Sequence, residues 1–161
     1  MREKIRFVAQ SAMIAALYVV LTYLANLLGI ASGVIQVRFS EALTILPYFT
    51  SAAIPGLYIG CLLANFLTGA AVWDIIFGSL ATLIGAVFTY LLRKKNEKLA
   101  PVPPILANSL IIPPILKLVY EVTDSMSFLY LTVFIGELIS CGILGLIFLY
   151  AIKKHKSKVF E

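Results

Sequence analysis

Glu137 stands in "FIGELISCG", nine residues into a long apolar run and with no basic residue within a helical turn. A carboxyl group there is either protonated and hydrogen-bonded to a neighbouring helix, or an acceptor kept for the donors of a ligand. Arg38 and Glu41 in "QVRFSEAL" offer two readings of their own. They can close on each other at i, i+3 where a short helix begins, with Ser40 as its cap and Glu41 favoured by the helix dipole. Alternatively, Gln36, Arg38 and Glu41 present an amide, a guanidinium and a carboxylate to an outward cavity. Trp73 and Asp74 pair an indole with a carboxylate at the start of a segment. Interface anchoring and N-capping account for them, and so does a flat heterocycle that needs a stacking face and an acceptor. Asn65 in "LLANFLTG" and Asn108 in "LANSL" are amides inside apolar spans. They bond helix to helix, or read the carbonyl and amine groups of a ligand. Lys117 and Glu121 are spaced to pair at i, i+4, with the lysine reaching outward.

Other chemistries have no foothold. The sequence lacks a G-x-x-x-x-G-K-[ST] loop, an H-E-x-x-H motif and any nucleophile and histidine pair within its apolar runs. Cys61 and Cys141 fall in separate runs and His155 lies in a basic tail, so no disulfide framework and no His/Cys metal cluster is written here. The expectation is a chain that is not an enzyme, with no metal and no cofactor.

The elements that must carry these residues are membrane spans. Of 161 residues, 61% are hydrophobic and 13% charged, with a mean hydropathy of +0.99; soluble domains hold roughly 45 to 50% apolar residues. The net charge of +5 comes from short basic clusters between apolar runs. That pattern orients a membrane protein and does not indicate a nucleic-acid partner. The first run, 7 to 28, is longer than the roughly 7 to 15 residues of a cleavable signal core and is read as a span.

The apolar pattern predicts an all-α integral membrane protein, a single domain with six segments at about 6–29, 41–53, 56–71, 74–93, 102–121 and 128–153. The second contains Pro47 and is too short to cross a bilayer. Pro55 and Gly56 mark a turn after it. The fifth repeats "PPIL" at 103–106 and 113–116, which predicts a helix kinked or partly unwound midway.

Six spans put both termini on one side, together with eleven of the thirteen basic residues, which makes that side cytoplasmic and the chain a multipass protein of the cell membrane. Arg38 and Lys117 are the exceptions, on an outer half that also holds five of the eight carboxylates. A cationic or donor-rich solute entering from outside is the natural partner. Ala12 and Ala16, with Ser11 and Ala15 beside them, form two overlapping small-residue patterns in the first segment, and Gly56, Gly60 and Ala64 continue the spacing in the third. Either internal packing or a docking face for another membrane subunit suits them.

The stretches "VRFSEAL", "LLANFLTG" and "WDIIFGSLATLIGA", within residues 36 to 86, resemble the QueT family, the queuosine-precursor-specific S components of energy-coupling factor (ECF) transporters. The match in length and spacing extends over nearly the whole chain. The resemblance implies a six-helix S-component bundle that binds a deazapurine at its outer face, under a capping loop after the first helix that corresponds to residues 29–40. It also implies docking on a transmembrane T component that carries two ABC-type ATPases, through a helix-one alanine pattern matching Ala12 and Ala16. A guanine-like base has two adjacent N–H donors that one carboxylate accepts, a role given to Glu137, while Asn65, Asn108 or Arg38 suit its carbonyl and ring acceptors. Glu41 or Asp74 would neutralise an aminomethyl substituent, and Trp73 would stack on the ring. Two rival readings remain: an autonomous secondary transporter coupled to protons through Glu137, and a non-transporting membrane assembly factor.

Overall fold

A computed structural model describes residues 1–31 and 35–154. The centre of the expected capping loop, residues 32–34, and the tail from His155 lie outside the described residues. Among the described residues the regular elements are all helical, with no strand. Helix α1 (Arg2–Leu27) is followed by a ten-residue 3-10 helix, Phe39–Tyr48. Then come α2 (Ala53–Leu67), α3 (Val72–Leu92), a 3-10 turn (Glu97–Leu99) leading into α4 (Val102–Leu118), and α5 (Met126–Lys154). Four stretches are long and apolar enough to cross a membrane: α1, α3, Glu97–Leu118 and α5. Helix α2, at 15 residues, is shorter.

Three local features depart from expectation. The second segment is a 3-10 helix that ends at Tyr48, and the chain turns at residues 49–52. Pro55 and Gly56 therefore lie in the first turn of α2, where a missing N–H costs nothing because that donor has no intrahelical acceptor. The second "PPIL" sits within a continuous α4. Pro103 and Pro104 occupy its first turn, where proline is well tolerated, and Pro113 and Pro114 fall in its last two turns. The last segment is not uniform: immediately after Glu137, residues Leu138–Leu144 open into a π-helix before the α pattern resumes at Gly145.

The 3-10 helix lies at the centre of the bundle, packed against α1, α2, α3 and α5. Ten residues at about 2.0 Å each reach only about 20 Å, and Leu43, Thr44, Ile45, Leu46 and Pro47 are buried along it. Around this core, glycines set the helix spacing. A Cβ on Gly56 would stand 2.8 Å from the Ser11 carbonyl, and one on Gly60 would stand 2.8 Å from the Tyr18 Cβ. These contacts divide the two small-residue patterns of α1. Ser11 and Ala15 face α2, whereas Ala12 and Ala16 are exposed. Gly85 plays the same part between α3 and α4, where an added Cβ would meet Pro104 Cα at 2.7 Å.

The two ends of the bundle differ in charge. At the end where α3 finishes, Arg93 lies over the Tyr90 ring and Lys153 pairs with Glu97 at 2.5 Å. The C-terminal ends of α1, α2 and α4 meet the N-terminal turn of α3 at the opposite end, and the cavities open there.

Candidate binding site

Two neighbouring cavities occupy that end. The larger is an open chamber of about 840 Å³ lined by residues that include Asn65, Asp74 and Tyr120; the smaller, about 160 Å³, holds Glu137, Thr132 and Asp124. Gln36, Arg38, Leu116 and Val122 border both. The extended segment Gln36–Arg38 is therefore the wall between them. Its position depends on α5. A Cβ on Gly136 would collide with the Gln36 carbonyl, so the missing side chain lets the segment lie directly on the helix. The Arg38 N–H donates to Ser140 Oγ at 3.0 Å, and the Arg38 guanidinium reaches Gln36 Oε1 at 3.5 Å.

Arg38 and Glu41 do not close on each other; among the described residues the ion pair is that of Lys153 with Glu97. Arg38 stays beside the cavities while Glu41, 2% exposed, turns into the bundle. The Tyr18 hydroxyl donates to Glu41 Oε1 at 2.5 Å, and the Asn108 amide donates to Oε2 at 3.4 Å. Ser40 does not cap the helix, whose N-cap residue is Arg38; its hydroxyl accepts from Thr22 at 2.9 Å. Glu41 thus ties α1 to α4 through the 3-10 helix. Neither it nor Asn108 lines either of these two cavities.

Asp74 sits in the first turn of α3, one turn past its N-cap Ala71, where a negative charge suits the exposed N–H groups. Tyr120 donates to Asp74 Oδ2 at 3.2 Å and accepts from the Ala71 N–H at 3.1 Å. Burial raises the Tyr120 phenol above its ordinary pKa. Asn65 donates to the Asp74 carbonyl at 3.4 Å and so joins α2 to α3 at the chamber wall. Trp73 points elsewhere: it is 56% exposed, is stacked on Phe77 with centroids 6.0 Å apart, and borders neither cavity. Lys117 is not paired with Glu121. Its ammonium donates to the carbonyls of Val122, Thr123 and Asp124 at 3.0, 3.3 and 2.8 Å, holding a loop in which Glu121 takes a φ of 51°.

In the smaller cavity Glu137 is partly buried, and its Oε2 accepts from the Cys141 thiol at 3.1 Å. Glu41, Glu137 and Cys141 bring one potential ligand atom each to within 4.8 Å of one another. Protein donors already engage these groups, with Tyr18 and Asn108 on Glu41 and Cys141 on Glu137. Sequence reading missed Tyr18 and Tyr120. Each is a hydroxyl-bearing ring at a place where a carboxylate needs a donor, which is the available signal for such residues.

Residues 8–154 match the family described as QueT transporter. A relative, the queuosine precursor transporter QueT of Lactococcus lactis subsp. cremoris (strain MG1363), is 44% identical over 73 residues, a stretch that covers 45% of this chain and 43% of that protein. No solved structure matches. Matched over all but its two ends, the chain belongs to the QueT transporter family.

Proposed function

We propose that the chain is the substrate-binding S component of an ECF-type transporter and takes up a 7-deazaguanine precursor of queuosine. The smaller cavity carries this reading, because its chemistry is that of a slot for a flat base. Apolar walls from Ile112, Leu116 and Phe128 enclose a carboxylate from Glu137 and donors from Arg38 and Gln36. Glu137 accepts the two adjacent N–H donors of the base, and Arg38 and Gln36 serve its carbonyl and ring acceptors. Asp74, in the adjoining chamber with Asn65, neutralises an aminomethyl substituent. Glu41 and Asn108 act one layer below, holding the 3-10 helix whose first residues anchor the wall. Trp73 serves as an interface anchor in this reading.

The termini are cytoplasmic, the cell membrane is crossed with the cavities outward, and α2 and the 3-10 helix complete a six-segment bundle. The basic stretch 93–98, at the end away from the cavities, supports this orientation. Without a nucleotide-binding motif of its own, the chain depends for energy on a T component and two ABC-type ATPases. The exposed Ala12 and Ala16 form the docking face.

Titration of purified protein with deazaguanines, thiamine and riboflavin tests the substrate. Saturable binding of deazaguanines alone is expected, and binding of either vitamin with none of the deazaguanines sinks the proposal. Replacing both Ala12 and Ala16 by leucine should leave that titration unchanged and abolish co-purification with the T component; full retention of the complex would remove them from the docking face. Uptake into liposomes by the chain alone would favour the proton-coupled alternative.

A further inference from the structure

Lys117 occupies the last turn of α4. A lysine there ordinarily bonds the open carbonyls of its own helix or extends into water. Here the ammonium instead meets the backbone carbonyls of Val122, Thr123 and Asp124, at 3.0, 3.3 and 2.8 Å. An ammonium has three donors and no acceptor, so the three carbonyls take all that it can give. The residues so held belong to the connection 119–125 between α4 and α5. The Val122 N–H closes the same loop by donating to the Leu116 carbonyl at 3.3 Å, and Tyr120 ties it to the start of α3. Glu121, inside the loop, has a φ of 51°. That is a left-handed conformation, which a residue with a Cβ keeps only where its surroundings impose it.

The held residues belong to the site: Val122 borders both cavities, and Asp124 borders the smaller one together with Glu137. Lys117 itself borders neither. We propose that Lys117 is a positioning residue for ligand binding, which gathers three successive carbonyls onto its ammonium and so fixes the α4–α5 connection as a wall of the site. The inference rests on the reading of the smaller cavity as the place of the base. Carbonyl oxygens drawn to one point repel each other unless a cation lies between them. Without the ammonium the three carbonyls part, and Glu121 loses the surroundings that impose its backbone. A ligand then finds the wall in place in only a fraction of the molecules, and its affinity falls by that fraction. The charge at the end of the side chain, rather than its bulk, is what the loop requires.

Two measurements on the purified full chain test this. One is amide hydrogen exchange, and the other is calorimetric titration with 7-cyano-7-deazaguanine, a base with no aliphatic amine of its own. Lys117→Ala is expected to speed exchange in 119–125, to leave exchange in α3 and α5 unchanged, and to weaken the base about tenfold or more. Added n-propylammonium replaces the methylenes and the ammonium that alanine lacks, and it should restore both readouts. The uncharged n-propanol should restore neither, and the unaltered chain should respond to neither additive. Lys117→Met keeps an apolar stem without a donor, and should show the same losses if the alanine variant fails to fold. Full affinity in the folded variant, exchange in 119–125 equal to that of the unaltered chain, or rescue by propylammonium no better than by propanol overturns the role of Lys117 and leaves the functional reading intact. Failure of the unaltered chain to bind any deazaguanine overturns the functional reading, while hydrogen exchange still reports on the loop.

Discussion

Exchanging Glu137 for glutamine should weaken deazaguanine binding by more than tenfold, which is beyond about 1.4 kcal/mol. Glutamine keeps the length of the side chain and one acceptor oxygen, but it turns the other oxygen into an N–H₂ donor. Opposite two ligand N–H groups, one acceptor is then lost and two donors are set against each other. Hydrogen bonds to a charged acceptor contribute about 1.5 to 3 kcal/mol, so the loss of one is enough for the stated change. Cys141 donates to Glu137 Oε2 and would keep an acceptor in one amide orientation, so the fold should survive. Isothermal titration reads the effect directly. An affinity equal to that of the unaltered protein would leave Glu137 a structural carboxyl tied to Cys141.

The largest effect on stability is expected from Glu41→Leu. The Glu41 carboxylate accepts from Tyr18 and Asn108 in a buried setting, and leucine deprives both of their acceptor. Each orphaned buried donor costs about 1 to 3 kcal/mol, so the total is about 2 to 6 kcal/mol, a large share of a typical protein's stability. Thermal unfolding in detergent should show a clear fall in midpoint. Adding Tyr18→Phe to Glu41→Leu should recover part of the loss, because one orphaned donor is then gone. If Glu41→Leu unfolds at the same temperature as the unaltered chain, the three-way bridge is not what holds the 3-10 helix between α1 and α4.

Much of this architecture was legible from apolar runs. The long segments around 7–28, 75–92 and 128–152 are spans because only a helix satisfies their backbone in hydrocarbon. What could not be read depends on partners distant in sequence. Arg38 and Glu41 have ideal spacing for a mutual pair, yet a tyrosine 23 residues away and an amide 67 residues away take the carboxylate instead. Ser11 and Ala15 cannot be told from Ala12 and Ala16 by residue type, since the patterns differ only by one position of helical phase. Gly56 and Gly60 decide between them in three dimensions. Pro55 looked like a turn because proline stops helices, but proline also starts them. The candidate residues divide along the same line. Gln36, Arg38, Asn65, Asp74 and Glu137 border one or both of the two cavities, whereas Glu41, Asn108 and Trp73 border neither.

The π-helix at Leu138–Leu144 gives α5 a change of phase in mid-course. Each residue of an α-helix advances the chain by about 100° around the axis, and a wide turn absorbs one residue without continuing that rotation. The N-terminal half of α5 can thereby direct Glu137 toward a cavity while the C-terminal half still directs Leu149 and Ile152 into the core. Trimming α5 to a regular helix would rotate its two halves relative to each other, so that the demands of ligand and core could no longer be met by one rod.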